Sequence, residues 1–263
     1  PRHLAVWLPR GYGESAKTYT VLYAHAGQNH FNPDWSDYNG VDWGIDETLQ
    51  RLIDSGKVED TIVVGIWNTP NRVGEYLPWD AWNVAPDYRD AISAYMQDEP
   101  VSREYLQFIV EELKPFVDAN YRTRPGRDDT LLMGSSMGGL ISLYALVRYP
   151  GVFGGAACVS THWPSTMMPD NPEANEPFLD FLRESIPAPG KHRIYFDFGT
   201  AELDALYEPH QRQVDGVMRQ LGYEPGPLWQ TRKFEGEGHN EPAWNRRAHI
   251  PLTFLLGTDN NKE

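Results

Sequence analysis

A single cysteine, Cys158, stands among 263 residues, so no disulfide can close within the chain. It lies in Gly155-Ala156-Ala157-Cys158-Val159, a strand-like apolar run, and reads as a buried small hydrophobe. Long hydrophobic runs are missing as well: none nears the roughly 20 residues that cross a bilayer as a helix. Basic residues are scarce, 23 Lys and Arg against 37 Asp and Glu, for a formal charge of −14. That balance argues against nucleic acid or an anionic membrane as a partner. Internal repeats and low-complexity linkers are absent. The sequence contains no signal-peptide pattern and opens at Pro1 in a strand-like stretch. A leader removed upstream is compatible with this, so cytoplasmic and secreted or periplasmic locations both stay open.

Aromatics, by contrast, are plentiful, with 9 Trp and 14 Tyr in a chain that is 40% hydrophobic. Surplus indoles often line carbohydrate or aryl pockets, although core packing is their default use. The length suits one large α/β domain over residues 1–263.

Short apolar runs alternate with helical periodicities along the chain. Strands are predicted over 3–8, 19–24, 61–67, 131–135, 152–159, 193–199 and 228–234. Between them lie a helix capped by Asp42, one capped by Ser102 and bent at Pro115, and helices after Gly138, Phe178, Glu208 and Glu241. Strands separated by helices imply βαβ units: an α/β fold with a mostly parallel central sheet and helices on both faces. Residues 68–101, with Pro70, Pro78, Pro86, Pro100, Trp79, Trp82, Tyr76 and Tyr88, form a long irregular segment. It reads equally as an insertion roofing a pocket or as a packed excursion. In such sheets ligands sit beyond the carboxyl ends of the strands.

The chemistry centres on Gly134-Ser135-Ser136-Met137-Gly138. This G-x-S-x-G pattern follows an apolar strand and opens a helix carrying Leu140, Leu143, Tyr144 and Val147. Such an elbow holds Ser136 Oγ clear of the sheet, and the flanking glycines avoid Cβ clashes. A serine hydroxyl needs an adjacent base, oriented by a carboxylate, in the chain order nucleophile, acid, base. His239 follows the last strand in a glycine-rich loop and is the candidate base. His3, His192, His210 and His249 follow no strand's carboxyl end. The acid comes from the loop after Gly199, where Asp204 is favoured over Glu202, while Asp197 lies inside the strand. Oxyanion stabilisation is assigned to the main-chain N–H groups of Met137 and Gln28. His25 and His30 have no third partner at metal-ligand spacing, so no metal is expected.

These residues resemble the esterase D-like branch of the α/β-hydrolases, the group of feruloyl and acetyl-xylan esterases, enterobactin esterases, S-formylglutathione hydrolases and mycolyltransferases. The likeness rests on Leu8-Pro9-Arg10-Gly11-Tyr12, Tyr23 to Phe31, Gly134 to Gly139, Phe198-Gly199-Thr200 and Gly238-His239-Asn240-Glu241. Relatives often have aspartate where Ala26 stands, and many place an acid at the position of Glu202. The resemblance implies ester hydrolysis by a Ser-Asp-His triad without metal or organic cofactor, on a small-molecule or carbohydrate-linked ester. Trp163, and with it the Trp79–Trp82 segment, is the expected pocket wall. Two rival readings share the scaffold: an acyltransferase or thioesterase using the same triad, and a catalytically silent glycan-binding relative. Oligomeric state is not legible.

Overall fold

The computed structural model describes residues 2–37, 40–84, 89, 99–167 and 175–258. Among them one seven-stranded sheet forms from β1 (Leu4–Trp7), β2 (Thr20–His25), β3 (Thr61–Ile66), β4 (Thr130–Ser135), β5 (Gly155–Val159), β6 (Arg193–Gly199) and β7 (Trp229–Phe234). The strand order is β1-β3-β2-β4-β5-β6-β7. Only the edge strand β1 runs antiparallel, pairing Leu4 with Ile66. The remaining pairs are parallel. This is the mostly parallel α/β sheet that the alternation of strands and helices predicts, in the α/β-hydrolase fold that the family resemblance implies.

Period-two alternation sorts the strand residues between two cores. Val21, Tyr23, Ile62, Val64, Leu132 and Phe196 face one side of the sheet. There they meet α4 (Ser102–Gln107), α5 (Lys114–Asn120), α6 (Met137–Arg148), α7 (Glu176–Ser185) and α8 (Tyr207–Gln220). Leu22, Ala24, Val63, Leu131, Met133 and Tyr195 face the other. They meet α1 (Ile45–Asp54), α9 (Glu241–Arg247) and α10 (His249–Leu256). The elbow helix α6 is apolar around its whole circumference, with every residue from Gly138 to Val147 buried, as befits a helix enclosed by others.

Several predicted boundaries shift for identifiable reasons. α1 is capped by Gly44 in a left-handed conformation (φ 54°), and Asp42 instead accepts the Gly44 N–H at 3.1 Å through its side chain. Ser102 is the first residue of α4 and its hydroxyl accepts the Trp79 N–H, so it caps a neighbouring segment. α4 and α5 are joined through a π-helical turn, Phe108–Leu113, that ends two residues before Pro115. The wider turn accommodates a residue that has no N–H for the i−4 carbonyl. β5 starts at Gly155, three residues later than predicted. Residues 68–101 are less irregular than the proline content suggests, holding α2 (Arg72–Tyr76) and α3 (Trp79–Val84). Tyr88 and Pro86 lie outside the described residues, as does 168–174. No described helix is long and apolar enough to cross a membrane.

Candidate active site

β4 ends at Ser135, and the chain turns at Ser136 with φ 56° and ψ −125°. A positive φ with that ψ is unfavourable for any residue with a Cβ and survives only where the surroundings impose it. Here they do. The Ser136 N–H donates to Val159 O at 2.9 Å, and its carbonyl accepts from Gly139, Leu140 and His162 at 3.0, 3.2 and 3.1 Å. Ser136 is half-buried. The glycine argument applies unevenly. A Cβ on Gly134 would stand 2.5 Å from Gly138 O and one on Gly139 2.9 Å from Thr161 Oγ1, but one on Gly138 would meet only His25 Cβ at an ordinary 3.5 Å. Gly134→Ala is therefore expected to lower unfolding stability by about 1–3 kcal/mol through overpacking against backbone. Gly138→Ala should stay within about 1 kcal/mol of the parent, and urea titration of both variants checks the contrast.

The candidate acid follows β6. Beyond Gly199, a 3₁₀ turn over Glu202–Leu206 buries Asp204 completely. Its Oδ1 lies 2.6 Å from His239 Nδ1, while Oδ2 accepts from Ser160 Oγ and from the Gly199 N–H, both at 2.6 Å. Glu202, the rival acid, turns away from the imidazole and accepts the His239 main-chain N–H at 3.0 Å and the Asn240 amide at 2.8 Å. It secures the loop rather than the ring. Asp197 is buried in β6, accepting from the Ser160 N–H at 3.1 Å and from Tyr195 Oη at 3.0 Å. Burial pushes the Asp204 carboxyl up, but its hydrogen bonds to His239, Ser160 and Gly199 outweigh that, and its pKa is held below the usual value.

The hydroxyl of Ser160 has its direction forced upon it. Its oxygen accepts from Arg247 Nη2 at 2.7 Å and from Trp244 Nε1 at 3.0 Å. Both are donors only, so the single Ser160 proton goes to Asp204. Arg247, itself buried, is paired with Asp197 at 3.2 Å. The His239 ring is held edge-on between Tyr207 and Trp244, with centroids at 5.4 and 5.0 Å. A carboxylate at Nδ1 calls for the proton on that nitrogen, which leaves Nε2 as the acceptor.

β2 and β4 are neighbours, so the loop after His25 opens beside the elbow. Gln28 is buried there, and its side-chain amide donates to Asp37 and Asn68 at 2.8 and 2.6 Å. Only its main chain is left to face a ligand. Met137 opens α6, where N–H groups have no intrahelical acceptor. His25 and His30 are both buried, and burial lowers them to about 3 and about 4. His25 Nδ1 lies 2.8 Å from Tyr105 Oη, and His30 Nε2 lies 2.9 Å from His25 O. They are neutral packing groups, and among the described residues no cluster of three or more potential metal ligands occurs.

The model of the Putative esterase family matches residues 1–249. The chain belongs to that family. This esterase is a carboxylic ester hydrolase. It is 23% identical over 263 residues to the uncharacterized protein YbbA of Bacillus subtilis, covering 97% of this chain and 93% of that one. Its fold is similar to that of a ferulic acid esterase (TM-score 0.65, 20% identity, 97% of this chain and 92% of the other). It is also similar to that of the enterochelin esterase of Shigella flexneri (TM-score 0.67, 18% identity), where 97% of this chain spans 54% of the larger protein.

Trp163 has a different place in the esterase from the pocket wall predicted for it. It is fully buried, its indole packs 6.1 Å from Phe178 and 5.7 Å from Phe196, and its Nε1 donates to Gln211 at 3.2 Å. Its position after β5 suggested the rim, but the indole turns inward there, while His162 before it is half-buried. Trp82 is likewise buried, and Trp79 is half-buried beneath the Arg103 guanidinium at 3.7 Å. His162 and Tyr207 carry no motif and escape a search limited to three catalytic roles. Tyr207 Oη lies 2.8 Å from His162 Nδ1, and its ring stands edge-on to His239. A cavity of about 500 Å³ between Thr20, Arg127 and Arg193 opens at the amino ends of the strands, the opposite end from Ser136.

Glu241, two residues beyond His239, is buried with Oε1 unpartnered, and burial raises its carboxyl to about 7. A pKa above the unfolded value means the folded state takes up a proton first. The stabilisation is complete below about 4.5 and is lost as pH rises through about 7. Unfolding free energy is expected to be higher at pH 5 than at pH 8, and Glu241→Gln should flatten that slope in urea titrations at both pH values.

Proposed function

We propose that this esterase acts through an acyl-enzyme on Ser136, with His239 as general base and Asp204 as its orienting acid. The observation that carries this reading is the 2.6 Å contact between Asp204 Oδ1 and His239 Nδ1, together with a strained serine at a strand-to-helix elbow. His239 Nε2 takes the Ser136 proton as Oγ attacks the ester carbonyl. The oxyanion forms against the main-chain N–H groups of Met137 and Gln28, which meet it without reorganisation. The imidazolium is stabilised by the buried carboxylate and protonates the departing alcohol. Water then repeats the sequence and releases the acid. The substrates proposed are small acyl, aryl or carbohydrate-linked esters, a range that includes the kind named for the ferulic acid esterase of similar fold.

A fluorophosphonate probe followed by peptide mapping tests the nucleophile directly. Adduct on Ser136, together with turnover on acetyl, butyryl and feruloyl nitrophenyl esters, is the expected result. A protein left unlabelled and inert on every ester would overturn the reading.

A further inference from the structure

Arg72 opens α2, directly beyond the β3 loop, and its guanidinium lies 5.4 Å from the centroid of the Tyr76 ring. Tyr76 is fully buried, and its hydroxyl accepts the Ala26 N–H at 3.0 Å, so the ring is tied to the loop that carries Gln28. α2 also packs against the elbow helix α6. The natural partner for Arg72 is the acid three residues on, Glu75. That carboxylate is already engaged by Arg2, at 2.5 and 3.2 Å, and by Thr69 Oγ1 at 2.8 Å. Arg72 is thus left half-buried with no ion pair or hydrogen bond among the described residues.

Its contact with Tyr76, and the packing of α2 on the elbow helix, place Arg72 beside the loop that carries Gln28. Burial raises the Tyr207 hydroxyl and lowers His162 to about 4, and the Arg72 cation acts on both, as it does on buried Glu241. Tyr207 is hydrogen-bonded to His162 and packs edge-on against His239, the His162 N–H is on Ser136 O, and Glu241 follows His239 by two residues. A planar fork of donors with no internal acceptor matches a carboxylate in geometry and charge. The chain's net charge of −14 would otherwise repel such a substrate.

We infer that Arg72 is an anion subsite, and that the preferred substrates are esters carrying a carboxylate near the scissile bond. This rests on Ser136 being the nucleophile. The test compares kcat/KM within two pairs of substrates. 4-Nitrophenyl hemiglutarate against 4-nitrophenyl butyrate puts the charge on the acyl chain, and 4-carboxyphenyl acetate against phenyl acetate puts it on the alcohol. In Arg72→Gln the charged-to-neutral ratio should fall at least tenfold in one pair, recover in part with Arg72→Lys, and fall further with Arg72→Glu. Equal loss on both members of each pair would mean that Arg72 only supports Tyr76, and unchanged ratios would mean a solvated cation; either result overturns the proposal. If Arg72→Gln does not fold, wild-type inhibition by glutarate against glutaramide decides, and equal inhibition overturns it. Fluorophosphonate labelling runs alongside. Labelled Ser136 with an unmoved ratio removes the subsite alone, whereas unlabelled Ser136 with no turnover of the neutral esters removes the nucleophile.

Discussion

Ser136→Ala is expected to lower kcat on an aryl ester by about 10⁵–10⁶-fold while the protein stays folded. In the proposed mechanism the hydroxyl is the group that becomes covalently bonded, so nothing replaces it, and only oxyanion and binding contributions remain, on the order of 10³–10⁴ over water. The main-chain bonds that impose the positive φ on Ser136 are unaffected by removing Oγ. The unfolding midpoint should therefore hold, and fluorophosphonate labelling should vanish. Retention of more than a few per cent of turnover would exclude Ser136 as nucleophile.

Asp204→Asn should cost about 10⁴-fold in kcat, and the surrounding donors say why. The site of Oδ2 receives two protons, from Ser160 and from Gly199. An asparagine meets them with its single oxygen, which turns its NH₂ toward His239 Nδ1. That donor holds the imidazole in the tautomer protonated on Nε2, unable to take a proton from serine. Glu202→Gln keeps an acceptor for the His239 and Asn240 N–H groups and should lose less than about tenfold. Steady-state kinetics on the two variants, with near-UV circular dichroism to verify folding, decides between the carboxylates. A crippling effect confined to Glu202→Gln would reverse the assignment.

Legibility varied with how local the signal was. The elbow could be read at a distance because its elements are adjacent: an apolar strand, a turn with glycine where a Cβ cannot fit, and an apolar helix. His239 was legible from its place after the last strand. The choice between Asp204 and Glu202 was open in the sequence because both lie in one short turn, and φ 55° at Glu202 helps decide which carboxylate faces the imidazole. Trp163 misled because its position after β5 predicted the rim, whereas the indole found a better-packed place between Phe178 and Phe196. Ser160, Arg247, Tyr207 and Arg72 gave no sequence signal, since their surroundings come from distant segments, Ser160 and Arg247 themselves being 87 residues apart.

What the chain order alone determined was the architecture and the order in which candidate groups arrive at one rim. Hydrophobic periodicity and chain reversal are local properties, written in consecutive residues. The tertiary structure decided which carboxylate meets the histidine, where the proton of Ser160 points, and why Arg72 is left without an anion. Those outcomes depend on donors and acceptors being counted across a packed interior, where each partner taken by one group is withdrawn from another.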